Sequence, residues 1–341
     1  MREPVVSMVL PYRDAAATLP AALESLRAQS LTAWEALLID DRSIDAGPAI
    51  ARRAASVDGR FRCLRTETPG GLVAALNAGL AAARAPLIAR LDADDLMPPD
   101  RLNQQVAFLA DDPTIGLVGC RVAFGGDAKA QQGYAEHVAW TNHLTTPEAI
   151  ARHRFIESPF PHPSVCFRRT LVDTYGGYRD GPFPEDYELW LRWLDAGVRM
   201  AKVPATLLTW NDPPDRLSRT DPRYSVDAFF ATKAPYLKRW LERHVDPARP
   251  VWIWGAGRAT RKRLQPLSDA GIAWSAWIDV DPAKIGQTID GRPVRPTGDL
   301  TKASPKPFVL TALMARGARK KIEAALADLG FRPEADYLCI A

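Results

Sequence analysis

Pro86-Leu87-Ile88-Ala89-Arg90-Leu91-Asp92-Ala93-Asp94-Asp95 passes from a mostly apolar run to three carboxylates. The run from Pro86 to Leu91 is short and reads as a buried strand. Leu96-Met97-Pro98-Pro99 follows, and its two prolines stop the strand where the next helix begins. The acids therefore stand where a buried strand leaves its sheet. Crowded carboxylates repel one another unless a cation or strong donors neutralise them. Hard oxygen ligands suit Mg²⁺ or Mn²⁺, ions that commonly bridge carboxylates to the phosphates of a substrate. A solvated acidic turn capping the next helix would have the same sequence, so the choice depends on the rest of the chain.

Upstream, Val5-Val6-Ser7-Met8-Val9-Leu10 ends at Pro11 as a first buried strand, with Tyr12-Arg13-Asp14 as its loop. Thr18, Pro20 and the spacing of Leu19, Leu23 and Leu26 predict a helix. Trp34 to Ile39 predicts a second strand, ending in Asp40-Asp41-Arg42-Ser43-Ile44-Asp45 before a helix through Ala49 to Ala55. Arg62 to Thr66 suggests a short third strand, and Gly70-Gly71 opens an Ala-rich helix through Leu72 to Gly79. Strands alternating with helices imply a parallel α/β sheet, and such sheets bind ligands outside the carboxyl ends of their strands. Polar clusters end strands one, two and four, which points to a single site. Asp40 and Asp41 could cap the following helix, or accept hydrogen bonds from a uracil imide or a ribose hydroxyl. The Gly70-Gly71 amides could approach a phosphate, or the pair could simply form a tight turn.

Downstream, Ile115 to Phe124 predicts a strand, and Gly125 to Pro147 reads as an irregular polar loop shaping an acceptor pocket. In Ser158-Pro159-Phe160-Pro161-His162-Pro163-Ser164, His162 is a candidate metal ligand or acceptor contact, and equally a packed residue. Glu185 and Asp186 occupy the first turn of a helix whose Leu189, Trp190, Trp193 and Leu194 share one face. Acids there stabilise the helix dipole, or supply a positionally fixed general base. Arg199 to Leu208 predicts a strand. The loop from Trp210 to Asp221, with Arg216, Ser218 and Arg219, could close over a diphosphate or carry solvated charges.

The length of 341 residues implies two domains. Hydrophobic residues at 47% and charged residues at 25% are ordinary for a globular protein. A net charge of +4 gives no case for nucleic acid as the main partner, while basic patches could still meet an acidic lipid surface or a phosphate-bearing ligand. Cys63, Cys120, Cys166 and Cys339 lie far apart, against a zinc site or a disulfide framework and in keeping with a reducing cytosol. Met1-Arg2-Glu3-Pro4 shows no signal-peptide pattern, and no apolar run reaches the roughly 18–20 residues that cross a bilayer. A cytoplasmic protein is expected, with peripheral membrane contact at most.

Tyr236 to Pro250 is charged and helix-like before a proline and reads as a linker. Val251-Trp252-Ile253-Trp254-Gly255-Ala256-Gly257-Arg258 resembles the start of a Rossmann-type unit, with Thr260 where the third glycine would stand. Ala273 to Val280 suggests a second strand ending in Asp279-Val280-Asp281, an acid placed to suit a ribose contact. Further strands are expected at Pro307–Ala312 and Tyr337–Ile340, with a helix from Ala315 to Leu329. The result would be a small α/β domain, either ligand-binding or a dimerisation scaffold.

These blocks, in their order and spacing, give the first ~225 residues a resemblance to the family-2 glycosyltransferases, which have the GT-A nucleotide-diphospho-sugar transferase fold. The resemblance rests on Ser7 to Asp14, Asp40 to Asp45, Leu72 to Gly79, Asp92 to Asp95, Pro161 to Ser164, and Gly176-Gly177-Tyr178 leading to Glu185-Asp186-Tyr187 with Trp190. It implies a nucleoside pocket of Pro11, Arg13 and Asp41, with Tyr12 and Asn77 also on the donor side. It assigns the metal to Asp94, the ribose or uracil side to Asp92, and the catalytic base to Asp186. His162, Glu185, Trp190 and Arg216 would stand on the acceptor side or in the closing loop. Two departures are visible. The family often reads Pro-x-Tyr-Asn where this chain has Pro11-Tyr12-Arg13-Asp14, and Gly70-Gly71 lies near where many members carry an arginine.

The implied architecture is a GT-A domain over residues 1–235, a linker over 236–250 and a Rossmann-like α/β domain over 251–341. The implied activity is metal-dependent, inverting transfer of a sugar from a nucleotide-diphospho-sugar, foremost a UDP-sugar. The acceptor would be a hydroxyl of a glycan or lipid-linked acceptor in cell-surface polysaccharide synthesis, with Mn²⁺ or Mg²⁺ as cofactor. A homo-oligomer is compatible with this reading. The alternatives are a nucleotidyltransferase, which would need a basic Gly-rich loop after strand one, and a non-catalytic nucleotide-sugar-binding or scaffolding protein.

Overall fold

The computed structural model describes residues 3–67, 70–213, 216–315 and 317–341. The chain divides into two compact units. One gathers the chain through Ala151, Pro159–Gly181 and Arg192–Thr220. The other gathers Arg152–Ser158, Pro182–Leu191 and Asp221–Ala341. Among the described residues no helix is long and apolar enough to cross a membrane.

In chain order the elements begin β1 (Val6–Tyr12), α1 (Leu19–Arg27), β2 (Trp34–Asp40), α2 (Gly47–Val57), β3 (Phe61–Arg65), α3 (Gly71–Ala82), β4 (Leu87–Arg90) and α4 (Arg101–Asp111). They continue β5 (Ile115–Phe124), α5 (Gln132–His143), α6 (Pro147–His153), β6 (Cys166–Arg168), α7 (Thr170–Tyr175), α8 (Glu185–Asp195), β7 (Arg199–Trp210) and α9 (Leu217–Thr220). The first sheet runs β3-β2-β1-β4-β6-β5-β7. Only β6 opposes its neighbours; the other pairings are parallel. Every residue of β1 and β2 is buried. A parallel strand covered on both faces has no solvent side, hence the unbroken apolar runs in the sequence. Helix α3 lies hard against β1: a Cβ added at Gly79 would come 2.6 Å from Val9 Cγ1. Glycine is required there by closeness rather than by backbone angle.

The turn His162–Ser164 is fixed by buried polar groups of α4. The Arg101 guanidinium donates to the carbonyls of Arg90 (2.8 Å) and Pro163 (2.6 Å), and Gln105 Nε2 donates to Ser164 O (2.8 Å). Both side chains are fully buried, and each donor stranded without its carbonyl would cost about 1–3 kcal/mol. Gly125 to Pro147 differs from its reading as an irregular loop, because it contains α5. No glycine or proline falls between Tyr134 and Thr146, and Val138 and Thr141 are buried on the inner face of the helix. Pro214 and Asp215, in the loop read from Trp210 to Asp221, lie outside the described residues, as does Arg316.

The remaining elements are α10 (Val226–His244), β8 (Val251–Trp254), α11 (Arg258–Arg263), α12 (Gln265–Asp269), β9 (Ala276–Ile278), β10 (Thr288–Ile289), β11 (Arg292–Arg295), β12 (Phe308–Thr311), α13 (Ala318–Asp328) and β13 (Tyr337–Cys339). The second sheet runs β10-β11-β9-β8-β12-β13, parallel except for the β10–β11 hairpin. Its five parallel strands follow the doubly wound order, with the first strand in the centre. The expected linker 236–250 is corrected by α10, which stays helical through His244 and buries Tyr236, Leu237, Trp240 and Leu241. Apart from the buried Lys233 its charges lie off the core-facing side, so a core helix looks like a tether when read by composition. Phe155, Tyr187 and Leu191 share one apolar cluster with Phe230, Trp240, Phe308 and Leu338. Within it Lys233 Nζ donates to the carbonyls of Phe155 (2.7 Å), Ile156 (2.9 Å) and Ile340 (2.9 Å), and burial pushes its pKa down to about 7.

Candidate active site

Strand β4 hands the chain to Asp92, Asp94 and Asp95, as the sequence implies. One oxygen from each carboxylate lies within 4.8 Å of the others. Among the described residues no other three His, Cys, Asp or Glu side chains converge in this way, and His162 is not part of the group. The turn is locked from β7. Leu96 pairs with Thr209, Asn211 N donates to Asp95 Oδ1 at 2.8 Å, and Asn211 Nδ2 donates to Asp94 O at 2.5 Å. The buried Arg90 guanidinium meets Asp92 Oδ1 at 2.6 Å. Asp95 is 1% exposed, and its second oxygen is buried with no hydrogen-bond partner among the described residues. Burial, then the Asp92 charge, pushes Asp94 up to about 6; burial, then Asp92 and Asp94, pushes Asp95 well above the usual carboxylate range. The Arg216 guanidinium, stacked 4.0 Å from the Trp210 ring centre, opposes both shifts. Three crowded acids with an unbonded buried oxygen are short of positive charge. That donor set fits a hard divalent cation.

The expected nucleoside-side residues lie at the ends of β1 and β2. Arg13 approaches Asp41 Oδ2 at 3.7 Å. Asp41 is buried and accepts from Thr66 Oγ1 (3.0 Å), Gly70 N (3.1 Å) and Gly71 N (3.1 Å). The Gly70-Gly71 amides read as a phosphate cradle therefore donate to Asp41 instead, and Gly71 turns the chain at a φ of 70°. Pro11 and Tyr12 are buried at the end of β1, and burial, then Asp40, raises the Tyr12 phenol. Asn77 spends both ends of its amide on the backbone of Tyr178, at 2.9 and 3.0 Å. A Cβ at Gly177 would lie 2.7 Å from Asn77 Oδ1, which accounts for the glycine in that block. His162 Nε2 sits 2.8 Å from the Tyr178 hydroxyl, and burial, then Arg90, holds the ring well below its usual pKa. The ring is buried against Tyr178 and stands outside the group of three acids.

Glu185, Asp186 and Trp190 fall in the second unit. Glu185 and Asp186 open α8. Asp186 Oδ1 accepts from Tyr187 N at 2.7 Å, and Oδ2 accepts from the Ser158 hydroxyl at 3.4 Å. Tyr224 OH donates to Glu185 Oε2 at 2.7 Å, and Glu185 is 2% exposed. Burial, then the Glu185 charge, pushes Asp186 up to about 7. A half-buried carboxylate with that affinity is matched to taking a proton near neutrality. Trp190 is fully buried, so it anchors the helix rather than presenting a ring to a ligand. Farther along, Asp279 accepts from Ala256 N (3.2 Å), Val280 N (2.9 Å), Asp281 N (3.0 Å) and Lys284 Nζ (3.2 Å). The acid read as suited to a ribose is thus engaged within its own fold.

Arg90, Ser158, Asn211 and Tyr224 received no role from the sequence, and Tyr178 entered it only within the Gly176-Gly177-Tyr178 block. Of the first four, Arg90 alone left a signal: a charge at the end of an otherwise apolar strand, one residue from the acids.

Residues 7–176 match the family described as Glycosyl transferase family 2. The putative glycosyltransferase EpsE of Bacillus subtilis is 31% identical over 228 residues, covering 66% of this chain and 79% of that protein. The succinoglycan biosynthesis protein ExoO of Rhizobium meliloti is 30% identical over 251 residues, covering 70% of this chain and 69% of that protein. Among solved structures, S. aureus TarS 1-349 in complex with UDP-GlcNAc is similar with a TM-score of 0.58 at 16% identity, covering 78% of this chain and 71% of that one. At that identity the likeness shows a shared fold, the GT-A fold.

Proposed function

Because this chain belongs to glycosyl transferase family 2, we propose that it moves a sugar from a nucleotide-diphospho-sugar, foremost a UDP-sugar, to a hydroxyl of a glycan or lipid-linked acceptor, with inversion. Cell-surface polysaccharide synthesis in the cytoplasm is the setting this reading adopts, supported by ExoO being named for succinoglycan biosynthesis. The UDP donor is supported by the TarS complex with UDP-GlcNAc. The observation that carries the reading is the unbonded buried oxygen of Asp95 inside the acidic triad.

Asp94, with Asp95 beside it, would hold Mn²⁺ or Mg²⁺, and Asp92 would face the ribose or uracil side. When bound, such an ion supplies positive charge against the diphosphate leaving group. Arg216 offers a guanidinium to the same diphosphate, and Arg13 offers one at the nucleoside end. Asp186 accepts the proton of the acceptor hydroxyl. The hydroxyl oxygen forms its bond to the anomeric carbon from the face opposite the diphosphate, which leaves with the bonding pair. One displacement needs one base and no enzyme nucleophile, and it inverts the centre.

The test is UDP release from a panel of UDP-sugars, with a glycan acceptor mixture, in Mn²⁺ or in a chelator. Release that requires Mn²⁺ and disappears in Asp94→Asn is expected. Equal release in the chelator would overturn the metal assignment, and saturable UDP-sugar binding with no turnover across the panel would favour the binding-protein alternative.

A further inference from the structure

The positive charge of this chain is not evenly spread. Residues 251–341 hold 14 Lys and Arg against 9 Asp and Glu, a net of +5, whereas the preceding 250 residues hold 30 against 31. The surplus is concentrated at one edge of the second sheet. Strands β9, β8 and β12 are parallel neighbours, so the segments that follow them leave the same edge. Adjacent strands lie roughly 4.8 Å apart, which puts the three exits within about 10 Å.

After β8 comes Arg258-Ala259-Thr260-Arg261-Lys262-Arg263, and after β12 the helix α13 opens with Ala318-Arg319-Lys320-Lys321. Arg258, Lys262, Lys320 and Lys321 are exposed, and none forms an ion pair among the described residues. Of the acids near this edge, Asp290 is engaged by Arg261, and Asp279 and Asp281 by Lys284, while Glu323 of α13 accepts from Cys339 Sγ at 3.6 Å. Two large apolar side chains also face solvent at these exits, Val280 after β9 at 67% exposure and Met314 after β12 at 45%. Uncompensated cations around solvent-facing apolar side chains are what an anionic bilayer surface recognises. Headgroups take the ammonium and guanidinium groups, and the apolar side chains enter the interface.

We propose that the carboxyl edge of the β9-β8-β12 sheet is a docking surface for an anionic lipid bilayer. Arg258, Lys262, Lys320 and Lys321 meet the headgroups, and Val280 and Met314 insert shallowly. A soluble polyanion would match the charges but would leave Val280 and Met314 uncovered, which is why the lipid surface is the better fit. This surface shares no residue with the acidic triad or with Asp186.

The experiment is co-sedimentation of the full chain with vesicles of phosphatidylcholine alone or containing 30 mol% phosphatidylglycerol, a composition set at roughly the anionic content that gives a negative surface potential. Binding to the anionic vesicles only is expected, and it should fall steeply as salt rises because the Debye length shortens from about 10 Å at 0.1 M. Each basic residue near such a surface contributes around fivefold, so Lys262→Gln with Lys320→Gln and Lys321→Gln should weaken binding roughly 100-fold. Met314→Ser should weaken it by a few-fold while leaving the salt dependence unchanged. These are exposed substitutions, and an unchanged melting temperature together with unchanged UDP titration shows that the fold and the donor site persist. Equal pelleting on neutral vesicles, no pelleting on anionic ones, or full binding by the triple variant each overturns the proposal. Retention on heparin with no vesicle binding would assign the patch to a soluble polyanion instead. Loss of UDP binding by the wild-type protein would count against the donor reading and would leave the docking surface unaffected.

Discussion

Two clusters of crowded acids stand in this chain, and they solve the same electrostatic problem differently. Asp92, Asp94 and Asp95 follow β4, and Glu185 and Asp186 open α8. In both, burial and a neighbouring carboxylate raise the pKa. The α8 pair is quenched by local donors, since Tyr224 OH serves Glu185, and Tyr187 N and Ser158 Oγ serve Asp186. The β4 trio keeps a buried oxygen with no donor among the described residues. At Asp186, burial and the Glu185 charge favour a proton while the Tyr187 and Ser158 donors favour the carboxylate, a balance suited to base work. An oxygen left bare in a nest of carboxylates is suited to a cation from solution.

The largest effect should come from breaking the α8 pair. Asp186→Asn is expected to cut transfer by roughly 10³- to 10⁴-fold while UDP affinity by isothermal titration stays within about twofold. Lost UDP binding in that variant would remove the base assignment. Next in size, Asp94→Asn should weaken Mn²⁺-dependent UDP binding by about 100-fold and leave metal-free binding unchanged, read by titration in Mn²⁺ and in a chelator. Asp95→Asn keeps the acceptor for Asn211 N but removes a buried charge, so it should raise the melting temperature in chelator and abolish the rise that Mn²⁺ gives the wild type.

A control outside both clusters is Asn77→Ala. It unpins Tyr178 and should cost about 2 kcal/mol in denaturant unfolding, with donor affinity kept. The smallest and most specific effect belongs to Glu185→Gln. The wild-type rate should rise with pH through about 7, because Asp186 must be ionised to accept a proton. Removing the Glu185 charge lowers the Asp186 pKa, so the rising limb should move to lower pH by up to about one unit, while glutamine still accepts from Tyr224. Stability runs the opposite way with pH. Asp94 at about 6 and Asp186 at about 7 bind protons more tightly folded than unfolded, so stability without metal should fall as pH climbs from about 4 to 7.

What the sequence made legible was local. The strand into Asp92–Asp95 and the acids in the first turn of α8 could be read because apolar period and turn chemistry act over a few residues. The roles of Asp41, Asn77 and His162 could not. Asp41 takes its donors from Thr66, Gly70 and Gly71, and Asn77 reaches 101 residues along the chain to Tyr178. A polar side chain in a sequence block shows that something needs it, and only the fold decides whether that partner is a ligand or the backbone. The helix α5 and the helical continuation of α10 were hidden for a related reason: their polar faces dominate the composition, and their buried faces show only once packed.

The Lys233 ammonium, held by three carbonyls, bears on how this protein can be taken apart. A chain ending at Pro250 would lose Ile340 O and the strands carrying Phe308 and Leu338, against which Tyr187 and Leu191 rest. The turn bearing Asp186 would then be bedded on water. The C-terminal sheet is therefore masonry under the proposed general base, and trimming it should silence transfer even though Asp92, Asp94 and Asp95 are still in the chain.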